Sequence, residues 1–245
     1  MHTHTRPTAQ ELMDDPACEE RELRRALRDL GRINGGVGAR GFVRSYLDRA
    51  LPVWRAQREP ADAPLRLVDV ASGGGDIPVA VARWANRRGV AARIVAVDRH
   101  PTTPRLAREA TAHHPGIAIV RGDACALPFP DASFDLGLCT LALHHMSDDA
   151  SVTVLRELHR VARIGFLAVD LVRGHAAHVA VWLLTRLSGS RLIRHDGPLS
   201  VLRARSVDDY RRLAAASGVP GVRVSRLPLF RASITCLAGL GDAPG

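Results

Sequence analysis

Residues 67–78 read LVDVASGGGDIP and decide how the chain folds. A largely apolar run comes first, glycines fill positions 73–75, and a helical pattern begins directly after them. This order is typical of a buried parallel strand that leads through a tight turn into a helix. Glycine lets the backbone adopt positive φ angles, and the first N–H groups of a helix are free to bind a ligand. The segment therefore predicts a nucleotide-type binding site.

Two classes of cofactor site use such a turn, and their spacing separates them. The dinucleotide fingerprint G-x-G-x-x-G requires a third glycine, which allows close packing of helix on strand. Counted from Gly73 and Gly75, that place is occupied by Pro78, so the fingerprint fails. The segment instead resembles motif I of class I S-adenosylmethionine (SAM) methyltransferases, acid-x-G-x-G-x-G, with Asp69 as the acid. Ala71 stands where that family has its first glycine, which makes the backbone less free there.

The next two apolar runs also end in acidic residues. Residues 93–98 read as a second buried strand that ends in Asp98, about 20 residues past the glycines, where a ribose-binding carboxylate is expected. Residues 117–120 read as a third strand, and Asp123 and Ala124 follow it. In class I methyltransferases an acid followed by a small residue lies against the adenine at this place. The resemblance therefore extends to a second and a third cofactor contact.

A fourth motif completes the series. Residues 127–135 read LPFPDASFD, which is similar to the run LPF-x-D-x-SFD of the same family. The resemblance covers residues 65–171 and identifies the chain as methyltransferase type 11-like, with SAM as the implied cofactor. The cofactor-binding residues that it implies are Asp69, Ala71, Gly73, Gly75, Asp98, Arg99, Asp123, Ala124 and Thr140.

The order of the segments predicts an α/β fold with a Rossmann-like, seven-stranded, mostly parallel sheet and an antiparallel last strand. We expect a disordered tail over residues 1–16, an N-terminal helical cap over 17–60 and a SAM-binding methyltransferase domain over 61–245. In similar enzymes an insertion like that at 174–205 forms a helical lid over the substrate. Its apolar helix, predicted over 176–187, is too short to span a bilayer.

Composition narrows the partners and the location. The net charge is +9, and all 34 basic residues are arginine. Aromatic residues make up only 4% and do not interleave with a basic run, so the sequence predicts no nucleic-acid surface. There is no apolar segment of the length that spans a bilayer, so we expect no integral membrane contact, and the sequence carries no signal for an oligomeric state. The scattered cysteines predict reduced thiols, a cytoplasmic location and no metal site; they are Cys18, Cys125, Cys139 and Cys236.

Histidines are the candidate catalytic residues. Methyl transfer from SAM requires alignment of the nucleophile with the methyl group, and a hydroxyl nucleophile must also lose a proton. His144 and His145 follow the fourth strand, and histidine has a suitable pKa for accepting that proton. A packing role is the alternative for either. His195, beside Asp196, is a further candidate because a carboxylate can orient an imidazole, and Asp170 after the fifth strand is another.

Missing motifs narrow the acceptor. Amino-methylating enzymes of nucleic acids carry Asn/Asp-Pro-Pro-aromatic after the fourth strand, where residues 142–145 read ALHH. Cytosine-C5 enzymes need a Pro-Cys pair, and the chain has none. No histidine and cysteine set has zinc-ligand spacing, so metal-dependent catechol chemistry is not predicted. An oxygen or carbon atom of a small molecule remains as the acceptor.

The chain also resembles small-molecule methyltransferases found with bacterial type III polyketide synthases, which act on phenolic lipids or quinols. The resemblance rests on the turn SGGGDIP, on Asp170-Leu171-x-Arg173 and on residues 195–200, which read HDGPLS. It implies secondary metabolism and O-methylation of a phenolic, polyketide or quinol acceptor, which is a lipophilic small molecule. C-methylation of a quinone precursor and a catalytically silent SAM-fold partner protein stay open as alternatives.

Overall fold

The apolar runs of the sequence form the strands of one sheet in the computed structural model, which describes residues 7, 9–36 and 38–238. Short 3₁₀ helices cover Leu12–Asp14 and Leu143–His145. The strands are β1 (Leu65–Val70), β2 (Ala92–Asp98), β3 (Ile117–Arg121), β4 (Phe134–Thr140), β5 (Ala162–Leu171), β6 (Arg223–Leu227) and β7 (Arg231–Leu237). The helices are α1 (Glu20–Gly36), α2 (Ala39–Gln57), α3 (Asp76–Arg87), α4 (Thr103–Thr111), α5 (Asp148–Val161), α6 (His175–Arg186), α7 (Arg191–Arg203) and α8 (Val207–Ser217).

The strand order across the sheet is β3-β2-β1-β4-β5-β7-β6. Strands β1 to β5 pair in parallel, and β7 runs antiparallel to both β5 and β6. This confirms the predicted Rossmann-like, mostly parallel α/β sheet with an antiparallel last strand. The winding reverses between β1 and β4, and open α/β sheets bind ligands beside such a reversal, at the carboxyl ends of the strands.

Helices cover both faces of the sheet and bury its side chains in two clusters. On one face, Leu158 of α5 belongs to a cluster with Phe166 of β5. On the other face, Trp54 of α2 and Trp84 of α3 share a cluster with Leu136 of β4. Burial of each large apolar side chain contributes about 1.5–3 kcal/mol, so this core holds the strand ends in fixed positions.

The N-terminal segment differs from the predicted disorder over residues 1–16. The backbone N–H groups of Leu12 and Met13 donate to the two carboxylate oxygens of Asp196 at 2.8 and 3.0 Å. The prediction is therefore wrong for Leu12–Asp14, while residues 1–6 and Thr8 lie outside the described residues. Composition indicated a polar tail because the partner that orders it lies 184 residues away in the sequence.

The insertion at 174–205 contains a pair of helices, α6 and α7, that pack against each other. The sequence predicted only the first, because Gly197 and Pro198 interrupt the pattern of the second. Helix α6 leaves large apolar side chains exposed, among them Val179 and Leu183, which are 56% and 57% exposed. Within the described part of the chain, no helix has both the length and the apolar character needed to cross a membrane.

Candidate active site

The turn after β1 has the backbone that its glycines predicted. Gly73 and Gly75 adopt φ angles of +53° and +81°, in the left-handed region that favours glycine. Ala71 also lies there, with φ +53°. A side chain in this region costs on the order of 1 kcal/mol or more, so the substitution that sequence analysis noted at Ala71 is a strained one.

Close packing restricts the same turn. A Cβ atom added at Gly75 would lie 3.0 Å from the Thr111 methyl group, and one added at Gly74 would lie 3.1 Å from Cβ of Leu27. Helix α1 therefore lies directly over the glycine turn, and α4 lies beside it. The space between the turn and its neighbours is suited to backbone, with no room for larger side chains.

Asp98 joins the first two strand ends. One carboxylate oxygen accepts the N–H of Gly73 at 2.9 Å, and the other accepts the N–H of His100 at 3.0 Å. A carboxylate has about four lone-pair sites, so both oxygens retain acceptor capacity after these bonds. Asp98 can therefore hold the turn in place and still accept two ribose hydroxyl groups.

Asp69 is a buried acid with no partner. It is fully buried in β1, and neither carboxylate oxygen has a hydrogen-bond partner among the residues that the structure describes. Burial raises the pKa of Asp69 well above its usual value, and Asp76 and Asp98 add to the shift. SAM carries an ammonium and a sulfonium group, so a cationic ligand of this kind would supply the missing counter-charge. The residues present therefore fit SAM.

The other expected cofactor residues lie at the same edge of the sheet. Asp123 accepts the N–H of Cys125 at 2.9 Å and forms the turn that follows β3, next to the buried Ala124. Arg99 follows β2 and is exposed, and Thr140 is the last residue of β4. This edge is where the reversal of the strand order favours a ligand.

A cavity of about 200 Å³ lies between the N-terminal segment, α1, α6 and α7. Most of its lining is apolar; these residues include Met13, Leu30, Ile33, Leu141, Ala177, Val181, Leu184, Ile193, Val201, Leu229 and Phe230. It adjoins the glycine turn through Asn34, which lines the cavity and whose side-chain amide donates to Asp76 at 3.4 Å. The cavity and the proposed cofactor edge are therefore neighbours.

Both histidines of the pair line this cavity, with ring centroids 4.2 Å apart. The Asp170 carboxylate accepts the backbone N–H of His144 at 2.8 Å and hydrogen-bonds Nδ1 of the His144 ring at 2.6 Å. Asp14 bonds Nδ1 of His145 at 2.8 Å. Burial is the largest single influence and raises the pKa of each carboxyl group, but the other contacts together lower the pKa of both: His144 and two backbone N–H groups for Asp170, and His145 with the charges of Arg203 and His144 for Asp14.

Glu11 faces both rings from the N-terminal segment. Its two oxygens lie 3.8 Å from Nε2 of His144 and 3.8 Å from Nε2 of His145, and one accepts the Ser200 hydroxyl at 2.9 Å. Burial raises the pKa of Glu11 to about 7, although the charge of His145 opposes the shift. Sequence analysis missed Glu11 and Asp14 because they lie in a short polar segment far from the histidines in sequence, with no motif around them.

His195 is not brought to this cluster. Its ring is 51% exposed on α7, and its Nδ1 contacts Asp196 at 2.8 Å. Asp196 is the neighbour that reaches inward, since it lines the cavity and holds the backbone of the N-terminal segment. Of the three histidines expected to be catalytic, the structure therefore brings His144 and His145 together and leaves His195 outside.

Arg205 ties the histidine turn to the end of the insertion. The guanidinium is 1% exposed and donates to the carbonyl oxygens of Leu143 at 2.6 Å and of Met146 at 2.9 Å. It also bonds the Asp148 carboxylate at 2.8 Å. The backbone around His144 and His145 is therefore held by the Arg205 guanidinium as well as by the Asp170 carboxylate.

A larger, open groove of about 840 Å³ lies along α1, α2 and α3. Arginines are frequent in its lining; they are Arg24, Arg28, Arg32, Arg40, Arg44, Arg83 and Arg87. The groove is larger than the cavity and is lined by Gly75, whereas none of the expected cofactor residues lines the cavity, but neither His144 nor His145 lines the groove. The chemistry of the site therefore points to the smaller cavity.

Comparisons with known proteins agree with this geometry. Residues 67–165 match the family model described as a methyltransferase domain. The demethylmenaquinone methyltransferase of Deinococcus radiodurans is 36% identical over 99 residues, which are 39% of this chain and 39% of that protein. The ubiquinone/menaquinone biosynthesis C-methyltransferase of Stenotrophomonas maltophilia is 36% identical over 114 residues, 45% of this chain and 42% of that protein.

A solved structure extends the likeness to most of the fold. Human N-acetylserotonin methyltransferase in complex with SAM superposes with a TM-score of 0.61, over 94% of this chain and 60% of that one, at 15% sequence identity. At that identity the superposition shows the fold alone. The matches span less than half the length of the two curated relatives. Residues 67–165 therefore form a methyltransferase domain, and the chain has the fold of the SAM-dependent methyltransferases, whose cofactor is S-adenosylmethionine.

Proposed function

We propose that the protein transfers a methyl group from SAM to a hydroxyl oxygen of a lipophilic phenolic, polyketide or quinol compound. The observation that carries the proposal is the apolar cavity, which adjoins the cofactor edge and ends in the polar cluster of Glu11, His144 and His145. An apolar wall with one polar end suits an aromatic ring that carries a hydroxyl group.

The cofactor supplies the electrophilic methyl group when it is bound. Of the residues expected to hold it, Asp69 offers the counter-charge, Asp98 the ribose acceptors, and the turn at Gly73 and Gly75 the close backbone approach. The remaining contacts are proposed for Ala71, Arg99, Asp123, Ala124 and Thr140. In the reaction the acceptor oxygen forms the O–C bond, the C–S bond breaks, and its electron pair stays on sulfur in S-adenosylhomocysteine.

The chain's own residues orient the acceptor and remove its proton. Correct alignment of oxygen and methyl group is worth about 7–11 kcal/mol of the barrier. His145 and His144 are the groups proposed to accept the proton of the acceptor's hydroxyl group, because their rings line the cavity and carboxylates hold their Nδ1 atoms. His195 has no part in this step, since its ring lies outside the cavity.

Size also favours a single aromatic ring. The cavity of about 200 Å³ exceeds the engineered apolar cavity of about 150 Å³ that binds benzene. Lining residues on α6 and on the turn at Leu229 and Phe230 are apolar, which suits an alkyl substituent on that ring. We therefore place the ring beside the histidines and its alkyl chain toward α6.

A second candidate is C-methylation of a quinone precursor. It is favoured by the names of both curated relatives, which are a demethylmenaquinone methyltransferase and a ubiquinone/menaquinone biosynthesis C-methyltransferase. Both reactions use the same donor, and they differ in the atom that attacks the methyl group. The position of the new methyl group therefore separates the two functions.

Product analysis tests the proposal. The purified protein is incubated with SAM and a panel of alkylresorcinols, alkylquinols and demethylquinones, and products are measured by mass spectrometry and NMR. The expected result is a gain of one methyl group with a methoxy resonance. An aryl-methyl resonance supports C-methylation instead, and no methyl gain across the panel, with SAM binding intact, contradicts both functions for these acceptors.

A further inference from the structure

The cluster at the polar end of the cavity has the ligand set of a metal site. Glu11, His144 and His145 each offer one ligand atom, and these atoms all lie within 4.8 Å of one another. Glu11 and His144 are buried, with 2% and 3% of their side chains exposed. The three residues come from two distant parts of the chain, so no ligand spacing in the sequence shows them.

The outer nitrogen of each ring, Nε2, lies 3.8 Å from a carboxylate oxygen of Glu11, which is beyond hydrogen-bond distance. Asp170 and Asp14 hold the Nδ1 atoms of His144 and His145 at 2.6 and 2.8 Å. A carboxylate at Nδ1 takes the N–H of a neutral imidazole and leaves a lone pair on Nε2, which is the arrangement that orients histidine ligands at metal centres. Such carboxylates also increase the basicity of the ligand nitrogen.

One of these nitrogens has no hydrogen-bond partner. Nε2 of His144 is buried and unsatisfied among the described residues, since Glu11 at 3.8 Å lies beyond hydrogen-bond distance. An unsatisfied buried polar atom costs about 1–3 kcal/mol, so native proteins rarely retain one without a role. A ligand placed between this nitrogen and Glu11 would give the nitrogen a partner and contact the carboxyl group as well.

The surrounding charge favours a cation. The carboxyl groups of Glu11, Asp14 and Asp170 surround the two rings, and Asp196 also lines the cavity. Three arginines also contact this end of the cavity: Arg203 donates to the carbonyl oxygen of His145, Arg205 donates to that of Leu143, and Arg231 lines the cavity. Among the described residues, the four acidic groups still outnumber these three cations.

We propose that Glu11, His144 and His145 bind one divalent transition-metal ion, with Zn²⁺ the best match. Imidazole ligands suit zinc and its neighbours, whereas Mg²⁺ and Ca²⁺ select oxygen ligands. Two histidines and one glutamate form a known type of catalytic zinc site, which keeps a further coordination position open. Zinc–ligand bonds are about 2.0–2.2 Å long. For Glu11 to bind the same ion as the histidines, the 3.8 Å distances between its oxygens and Nε2 of His144 and His145 must shorten by a few tenths of an ångström.

The role of the ion rests on the proposed function. The open position faces the cavity, where it would bind the hydroxyl oxygen of the acceptor. A bound dication lowers the pKa of a coordinated hydroxyl group, so the proton passes to solvent water and the oxygen attacks the methyl group as the anion. The ion would then replace direct proton transfer to the two rings.

Zinc titration tests the site without SAM or acceptor. The full-length protein is stripped with a chelator, and ZnCl₂ binding is measured by calorimetry; Co²⁺ absorption reports the ligand geometry. We expect one ion per chain with a Kd of about 1 µM or tighter. Glu11→Gln and His145→Ala should each weaken binding by about 100-fold or more.

His195→Ala is the control, because it removes a histidine that belongs to the insertion at 174–205 and lies outside the cavity. It should leave the zinc affinity unchanged, and circular dichroism should show all variants folded. If Glu11→Gln binds zinc as tightly as the unchanged protein, or if zinc binds to neither, the site is wrong.

Activity separates the two proposals. Full methyl transfer by the chelator-treated protein would overturn the metal's role and leave the proposed function standing. Zinc binding that depends on Glu11, combined with no methyl transfer to any acceptor, would keep the metal site and overturn the proposed function. Loss of transfer on chelation and its recovery with Zn²⁺ would support both.

Discussion

The two halves of the site are built in different ways. The cofactor edge takes its expected residues from one continuous stretch, Asp69 to Thr140, in which they lie at or just after the ends of strands β1 to β4. The acceptor cavity combines Glu11 from the N-terminal segment, the histidines after β4 and side chains of the insertion at 174–205. The first half is a property of local sequence, whereas the second exists only in the folded chain.

The two halves of the site also differ in whether their carboxyl groups are paired. Asp69 is buried and has no hydrogen-bond partner among the described residues, so a bound cation would supply its missing counter-charge. Asp14 and Asp170 are each paired with a histidine, and the pKa of each is lowered. The cofactor half is therefore prepared for a charged ligand, and the acceptor half is already organised internally.

The largest expected effect breaks the acceptor half alone. His145→Ala should lower kcat for methyl transfer by about 10²–10⁴-fold, because it removes a group assigned to the acceptor's proton. The Kd for SAM should stay within about twofold. Single-turnover rates and SAM calorimetry measure the two quantities, and a comparable loss of SAM affinity would show that the halves are not separate.

A smaller effect, on the Kd for SAM rather than on kcat, is expected from a change on the cofactor side. Asp98→Ala removes the acceptor of the Gly73 N–H and of the expected ribose hydroxyls, so the Kd for SAM should rise by about 10–100-fold. The exposed Asp62→Ala should leave it unchanged. Calorimetric titration with SAM measures both, and an unaltered Kd in Asp98→Ala would remove Asp98 from the cofactor site.

The next smaller effect concerns the hydrogen bonds between Asp196 and the N-terminal segment, which bring Glu11 to the cavity. Asp196→Ala removes the acceptor of two backbone N–H groups of the N-terminal segment, which should cost about 1–3 kcal/mol of unfolding free energy. Hydrogen exchange should become faster at Leu12 and Met13, and kcat should fall about tenfold with SAM binding retained. Protection equal to that of an exposed Asp208→Ala control would contradict the role of Asp196.

The smallest effect concerns strain in the turn. Ala71→Gly should increase the unfolding free energy by about 0.5–1 kcal/mol, because glycine adopts φ +53° without the Cβ penalty. Urea unfolding of the two proteins measures the difference. A lower stability for the glycine variant would mean that the Ala71 methyl group makes contacts that outweigh the strain.

The sheet and the order of its elements along the chain could be predicted from the sequence because each depends on near neighbours, while the expected cofactor residues stay a prediction. The glycines at 73 and 75 sit in positive φ as their spacing predicted, and Asp98 ends β2. Glu11 and Asp14 could not be predicted in this way. No pattern near them in the sequence indicates, for example, the contact of Asp14 with His145, which lies 131 residues away. His195 was expected beside the acceptor on the strength of its neighbour Asp196, but adjacent residues of a helix point in different directions.

Arg205 has a kinetic consequence. The side of the cavity that contains the histidine turn can open only if bonds to Leu143, Met146 and Asp148 break together. On the opposite side, α6 buries only Ala177 and Thr185. We therefore expect acceptor and product to pass by α6, with the histidines held in place by Arg205.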